Sequence, residues 1–378
     1  MITCSKPFHS IKTAPTYILL AASIVVLAGA TGFASKQVPG SAKATVLVLD
    51  DCDSDNKNST PPYGDAVSLL DSKGELVRLV TRGLAIGRNW SGCRAISVSE
   101  DGRFFVVCED AVNQTSVYET STGRKIWSLS GLFRSAVFAK GLVYALARDS
   151  VYAIDNTGTI VKHSRTGSGI DIAFDSSRNC LWIVGTNVKK CNLDLEILMK
   201  ADPIRGGGGA FSVDINADGS IWVAAQYMRS RPPRDGSENG LLKISPEGRL
   251  LKTIEVEFSP QRVRADRSDG SVWTTGSILH RDYSRIGDVW PETLTELDAL
   301  TNIGIRRYTR KYDSDGNLLV SLTDGGASID LDPSDGSVWI AGKSSISHCS
   351  RTGANLATYT GVTGNQKWLA VVPCKNAG

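Results

Sequence analysis

The sequence predicts an all-β chain, on three observations. After residue 44 no segment shows helical apolar periodicity; apolar residues come in short β-branched and aromatic runs cut by Gly, Asp, Asn and Ser. A short motif then recurs, as Asp218-Gly219-Ser220-Ile221-Trp222, Asp269-Gly270-Ser271-Val272-Trp273 and Asp335-Gly336-Ser337-Val338-Trp339. Looser copies with the same turn-to-aromatic spacing, Gly102 with Phe105, Gly141 with Tyr144 and Asn179 with Trp182, extend the series at a period of about 40 residues. A helix-free unit of that size cannot bury both faces of its own small sheet and must pack radially on its neighbours. The predicted architecture is a β-propeller.

The elements follow in chain order. Residues 1–34 read as a signal peptide or an N-terminal membrane anchor: Lys6 and Lys12 precede an apolar run from Tyr17 to Phe33, and Gly32-Phe33-Ala34 offers small residues to an export peptidase. Either reading puts the remainder outside the cytoplasm, as a periplasmic, cell-surface or secreted protein. Residues 35–43 form a polar linker, and residues 44–378 the propeller domain. Within it two hairpin patterns alternate, so each repeat holds four strands, a to d. In the first, the turn is followed by an aromatic; in the second, turns centred on Gly74, Gly123, Gly158, Gly248, Gly316 and Gly353 join strands c and d. Such turns need positive φ, which Gly and Asn supply at low cost.

Six complete repeats start near Ala95, Ala136, Asp171, Phe211, Val263 and Ser328. A seventh is split. Residues 368–372 read as its strand a, while 45–49, 66–70 and 76–80 read as b, c and d, so that strands from both termini close the ring. Seven blades are expected, with six or eight as the alternatives because the repeat after Val263 is irregular. The repeat aromatics, Trp222, Trp273 and Trp339 above all, read as core. Of the eight cysteines, Cys180 and Cys191 flank two adjacent strands, where a disulfide is feasible if the side chains face each other. Cys93 with Cys108, and Cys349 or Cys52 with Cys374, are further pairings.

A net charge of +3 over 378 residues implies neither nucleic acid nor an anionic membrane as partner; a membrane enters only through an uncleaved N-terminal segment. In a propeller the b–c and d–a connections share one face and the a–b and c–d turns the other. The second set is short throughout. The long connections, 50–65, 226–239, 277–303, 83–93 and 203–209, all belong to the first, which makes that face the default site. It is rich in arginine and aromatics: Arg88, Trp90, Arg205, Tyr227, Arg229, Arg231, Arg234, Arg281, Tyr283, Arg285 and Trp290. Guanidinium forks pair with carboxylate, phosphate or sulfate, and rings stack on sugars. A protein or an anionic or glycan ligand suits this set.

Catalytic groups are sparse. His280, with Glu292 and Glu296 on the same connection, is the only set able to do general acid–base work. Asp51, Asp53 and Asp55 form an oxygen-rich run able to hold Ca²⁺, though Asn56 stands where the calcium loop needs Gly and Pro62 where it needs Glu. No cofactor is required; Ca²⁺ or Mg²⁺ are the candidates.

The Asp-Gly-Ser-Val/Ile-Trp repeat, followed by a c–d hairpin such as residues 240–248, resembles the NHL-type propellers and the related streptogramin (virginiamycin B) lyases over most of residues 95–373. The resemblance implies the propeller fold and, for the lyases, histidine and acidic residues with Mg²⁺ on one face; of that set His280 with a nearby Glu is matched. Trp127 after its Gly-Arg-Lys turn is a weaker likeness to redox-quinone propellers. The expected function is an exported, non-catalytic binding propeller that engages its ligand through the long-connection face; the alternative is a metal-assisted lyase or hydrolase centred on His280.

Overall fold

The computed structural model describes residues 45–50, 65–84, 93–109, 112–202, 209–226, 240–281, 302–322, 325–342, 345–361 and 367–373. They form seven four-stranded antiparallel sheets arranged as a β-propeller. Blade 1 begins with β1 (Thr45–Asp50), β2 (Asp65–Leu70) and β3 (Leu76–Leu84). Blade 2 holds β4 (Cys93–Val98), β5 (Phe104–Glu109), β6 (Gln114–Glu119) and β7 (Lys125–Ser130). Blade 3 holds β8 (Phe133–Ala139), β9 (Leu142–Ala147), β10 (Ser150–Ile154) and β11 (Ile160–Arg165). Blade 4 holds β12 (Gly169–Asp175), β13 (Cys180–Gly185), β14 (Val188–Asn192) and β15 (Ile197–Ala201). Blade 5 holds β16 (Gly209–Ile215), β17 (Ile221–Gln226), β18 (Gly240–Ile244) and β19 (Leu250–Glu255). Blade 6 holds β20 (Ser259–Ala265), β21 (Val272–Arg281), β22 (Asn302–Tyr312) and β23 (Leu318–Leu322). Blade 7 holds β24 (Ser328–Leu331), β25 (Val338–Ala341), β26 (Ile346–Cys349) and β27 (Asn355–Tyr359). The last strand, β28 (Lys367–Val372), returns to blade 1 and pairs with β1 from Thr45 opposite Val372 to Asp50 opposite Lys367. The split blade is therefore real, and with it the count of seven.

The core is seven apolar clusters, one in each gap between adjacent blades. This follows from the size of the unit: both faces of a four-stranded sheet carry alternate side chains, and only a neighbouring blade can cover them. Trp182, Trp222, Trp273 and Trp339 are each 0% exposed and point into the gap ahead of their own blade. The residue directly across from each on strand c is Lys190, Lys243, Lys311 or His348. The three lysine ammonium groups lie 5.4–5.8 Å from the indole centroids, and the His348 ring stacks on Trp339 at 4.1 Å. The cation thus covers the ring face from within its own sheet.

Blade 2 departs from the expected register. Its a–b turn runs from the Ser99 amide to the Phe104 carbonyl with Arg103 standing between Gly102 and the closing residue, whereas Gly219, Gly270 and Gly336 directly precede the closing Ser220, Ser271 and Ser337. Because strand side chains alternate, the added Arg103 moves every later residue to the other face. Phe105 therefore packs backward into the gap with blade 1, stacked on Tyr118 at 5.2 Å, and Val106 takes the place that tryptophan holds elsewhere.

The two disulfides suggested within blades are not formed. Leu181 is the partner of Cys191, and Asn192 that of Cys180, so the two sulfurs lie on opposite faces of blade 4 and in different clusters. Cys93 and Cys108 are separated in the same way, the first facing blade 1 and the second blade 3. All five described cysteines are buried thiols, and burial pushes Cys191 up to about 11. Cys52 and Cys374 lie outside the described residues.

Candidate functional site

Antiparallel order puts the b–c and d–a connections at one edge of every blade and the a–b and c–d turns at the other. The turn face is closed by short hairpins whose hydrogen bonds are nearly uniform, as in Asp71 to Glu75, Asp155 to Thr159, Ser245 to Arg249 and Asp313 to Asn317. The long connections 51–64, 227–239 and 282–301 leave and re-enter strands at the opposite edge, as do 85–92 and 203–208. That edge also carries an arm. β21 and β22 stay paired out to Arg281 opposite Asn302, so a stretch expected to be loop from residue 277 is a β-hairpin. Its base is fixed by Tyr308 stacked on Phe258 at 5.4 Å, with the Arg310 guanidinium over both rings and bonded to Glu257. Further out, Ile305 is 63% exposed.

Most of the sequence-predicted site falls on the connections themselves. Arg88, Trp90, Arg205, Tyr227, Arg229, Arg231, Arg234, Tyr283, Arg285, Trp290, Glu292 and Glu296 lie outside the described residues, as do Asp51, Asp53 and Asp55. His280 and Arg281 are described as backbone only, in the outer part of β21, with Gly304 and Asn302 as their partners. Among the described residues no cluster of His, Cys, Asp and Glu has the geometry of a metal site.

The structure adds a site that the loop analysis did not reach, the central channel. The innermost strands of all seven blades line a cavity of about 330 Å³. Each is the inner edge of its sheet, which leaves backbone N–H groups in need of partners. Side chains of the preceding blade supply them. The amide of Val213 donates to Asp171 Oδ2 (3.2 Å), that of Val263 to Ser212 Oγ (3.4 Å), that of Ala265 to Asp214 Oδ2 (2.8 Å) and that of Val371 to Asp330 Oδ2 (2.7 Å). Asp171 also accepts from Ser135 Oγ at 2.7 Å. These carboxylates lace one blade to the next. Burial pushes the Asp214 carboxyl above its ordinary range, against the pull of Arg264 and Arg267.

Three arginines answer the three aspartates. Arg264 is fully engaged along one side, with Nε on Asp330 Oδ1 at 2.6 Å and Nη1 on the Val263 carbonyl at 2.9 Å. Burial works against its charge, but Asp330 and Asp214 outweigh it and hold the guanidinium above its usual value. Arg267 donates to the Ile215 carbonyl at 3.1 Å. Arg262 differs: its guanidinium carbon lies over the Trp368 ring, 4.1 Å from the centroid, while its nearest polar contacts are long, 3.5 Å to the Phe211 carbonyl and 3.8 Å to Asp171. Trp368 is itself pinned, its indole N–H donating to the Cys93 carbonyl at 2.9 Å. The available signal in the sequence was Arg262-Val263-Arg264 and Asp330, charges alternating within runs that otherwise read as core.

Two other features resemble sites and are scaffold. Ser337 Oγ and His348 Nε2 are 2.9 Å apart, but at 2% and 6% exposure no substrate reaches them, and His348 Nδ1 is bound to the Ser72 carbonyl of blade 1. A cavity of about 580 Å³ between blades 2 and 3 on the turn face is rimmed by both charge signs, Arg103 and Arg124 against Glu119 and Asp155. Its floor includes Trp127, which is packed in the core between those blades.

The fold and its channel place this chain in the class of seven-bladed β-propellers. Solved structures agree: hydrazine synthase from Kuenenia stuttgartiensis is similar with a TM-score of 0.54 at 12% identity, over 71% of this chain and 79% of that one. The WD40 β-propeller domain of Doa1 is similar with a TM-score of 0.53 at 12% identity, over 80% and 87% of the two chains. The Neurospora crassa Pan2 WD40 domain follows at 0.51 and 10%, over 75% and 80%. At such identities the likeness is one of fold. No protein-family model matches the chain, and no curated protein matches its sequence.

Proposed function

We propose that this is an exported, non-catalytic binding propeller, of the NHL-like kind, that engages a protein or an anionic or glycan ligand through the face of the long connections. The observation that carries the reading is the asymmetry between the faces: one is closed by short, internally bonded turns, while the other holds every long connection and the β21–β22 arm. A rigid ring with one elaborated face is the arrangement in which loops do the binding. Arg88, Arg229, Arg231, Arg234 and Arg285, with Trp90, Tyr227, Tyr283 and Trp290, supply guanidinium forks and stacking rings to it. β1 begins at the turn-face edge of blade 1, at Thr45 opposite Val372.

The test is an array of sulfated and uronate oligosaccharides and acidic peptides, probed with the full chain. A variant in which residues 227–239 and 282–301 are each replaced by Asn-Gly should lose binding at least tenfold and keep its unfolding midpoint. Arg249→Glu, on the turn face, should change nothing. Equal binding by the loop-replaced variant refutes the reading.

A metal-assisted lyase or hydrolase of the streptogramin-lyase type is the second reading. What favours it is that β21 carries His280 toward the same face. A Mg²⁺-dependent thermal shift abolished by His280→Ala would replace the first reading by this one.

A further inference from the structure

We infer that the central channel is a binding site for a small organic carboxylate, held by Arg262 against Trp368. Three of the four acids that line the channel are committed to the wall itself: Asp171, Asp214 and Asp330 each accept a backbone amide of the next blade. Arg264 is committed too, to Asp330 and to a carbonyl of its own strand. Arg267 spends one donor, on the Ile215 carbonyl at 3.1 Å, and Arg262 is the least engaged of the three. Among the described residues its only hydrogen bond is a 3.5 Å contact from Nη1, and Asp171, whose two oxygens already accept three closer bonds, stands 3.8 Å away. A guanidinium has five donors, and most of these are unspent.

A buried cation this poorly paired is costly unless a partner is supplied. Burial lowers Arg262 from its ordinary 12.5 to about 10, with Asp171 only partly opposing and Arg264 adding to the effect; the group is still cationic at neutral pH. Its side chain keeps 18% of its surface accessible and lines the cavity. Trp368 covers the fork from one side, and is itself fixed by its bond to Cys93. A held, planar, under-used fork at a polar cavity is the geometry that accepts a carboxylate bidentately.

The remainder of the lining sets the class of ligand. Asp171, Asp214 and Asp330 share the cavity with Arg262, and Glu100 stands at its turn-face end. A phosphate dianion or a polycarboxylate would bring a further negative charge to these acids, whereas one carboxylate on a neutral or cationic body brings only the charge that Arg262 pairs. A cavity of about 330 Å³ admits a molecule of a few heavy atoms. The described lining belongs to the innermost strands and their turns, so variants there and in the long connections are tested separately.

The test uses the full chain and trifluoroacetate as a ¹⁹F NMR probe at low ionic strength. The expected result is line broadening that lactate or glycine reverses and phosphate or citrate does not. Arg262→Gln should weaken probe binding about tenfold or more, and Arg262→Lys, which keeps the charge without the fork, should weaken it as well. Arg249→Gln, on the turn face, should leave it unchanged. Absence of broadening in the unmodified chain, displacement by phosphate as readily as by lactate, or undiminished binding in Arg262→Lys would each overturn the assignment. The first two use the unmodified chain and hold even if Arg262→Gln fails to fold.

Discussion

Asp218, Asp269 and Asp335 show what the repeated motif is for. The carboxylate of Asp218 accepts both the amide (2.8 Å) and the hydroxyl (2.6 Å) of Ser220, and Asp269 treats Ser271 in the same way. Asp335 accepts the Ser337 amide, while that hydroxyl also meets His348. For all three, burial pulls the carboxyl upward, yet the serine bonds and nearby cations outweigh it and leave it below the ordinary range. A folded-state value below the unfolded one stabilises above the unfolded pKa, and that stabilisation is lost as pH falls through the folded value. Asp218→Asn should therefore be less stable than the parent at neutral pH, with the gap closing below about pH 4; urea unfolding across pH measures it. The tryptophan that ends the motif is a different case. The indole N–H groups of Trp182, Trp222, Trp273 and Trp339 are buried without a hydrogen-bond partner among the described residues, so these residues contribute area, shape and a ring face for the side chain across from them, and no hydrogen bond. Trp273→Ala should cost about 3–5 kcal/mol in chemical denaturation, and Trp273→Phe, which loses no hydrogen bond, distinctly less.

At the scale of elements, each blade is latched to the next by polar contacts around its apolar gap. Side chains reach the c–d turn of the following blade: Tyr144 to the Leu193 carbonyl (3.0 Å), Lys190 to that of Pro246 (3.1 Å), His348 to that of Ser72 (2.9 Å) and Arg78 to that of Thr120. Between blades 6 and 7 the latch is ionic: within blade 6 Lys311, 3% exposed, meets Asp266 at 3.3 Å and Asp269 at 3.2 Å, and Arg351 of blade 7 joins Asp266 at 3.0 Å. Turn geometry is part of the same joint. A Cβ on Gly123, at φ +71°, would lie 1.9 Å from the Val80 carbonyl oxygen of blade 1, whereas one on Gly141, at φ +78°, would meet nothing within 4 Å. Gly141→Ala should cost only the left-handed backbone penalty of about 1–2 kcal/mol. Gly123→Ala should cost clearly more, because the blade 1–2 joint must open; paired thermal melts separate the two.

At the scale of the whole molecule, the ring was legible in the sequence because its period is written in turns and tryptophans, and the split blade because residues 368–372 read as a strand with no local partner. What escaped was whatever depends on register between blades. Phe105 looked like its sister aromatics until one residue added after the turn glycine reversed its face, and a Cys180–Cys191 bridge was feasible only if the two faced each other, which their one-residue offset prevents. The channel escaped because Arg262 and Arg264 converge with Asp171, Asp330 and Trp368 only once blades 4, 6, 7 and 1 are set around one axis. The elaborated face was legible as a place, from the lengths of the connections, and the division of labour between the two faces is the central claim. Hydrogen–deuterium exchange on the full chain, with and without the strongest binder from the oligosaccharide and peptide array, tests it most directly. Protection should appear in the outer β21–β22 arm and at the ends of the long connections, with the turns around Gly74, Gly158 and Gly248 unchanged. Protection confined to those turns would contradict it.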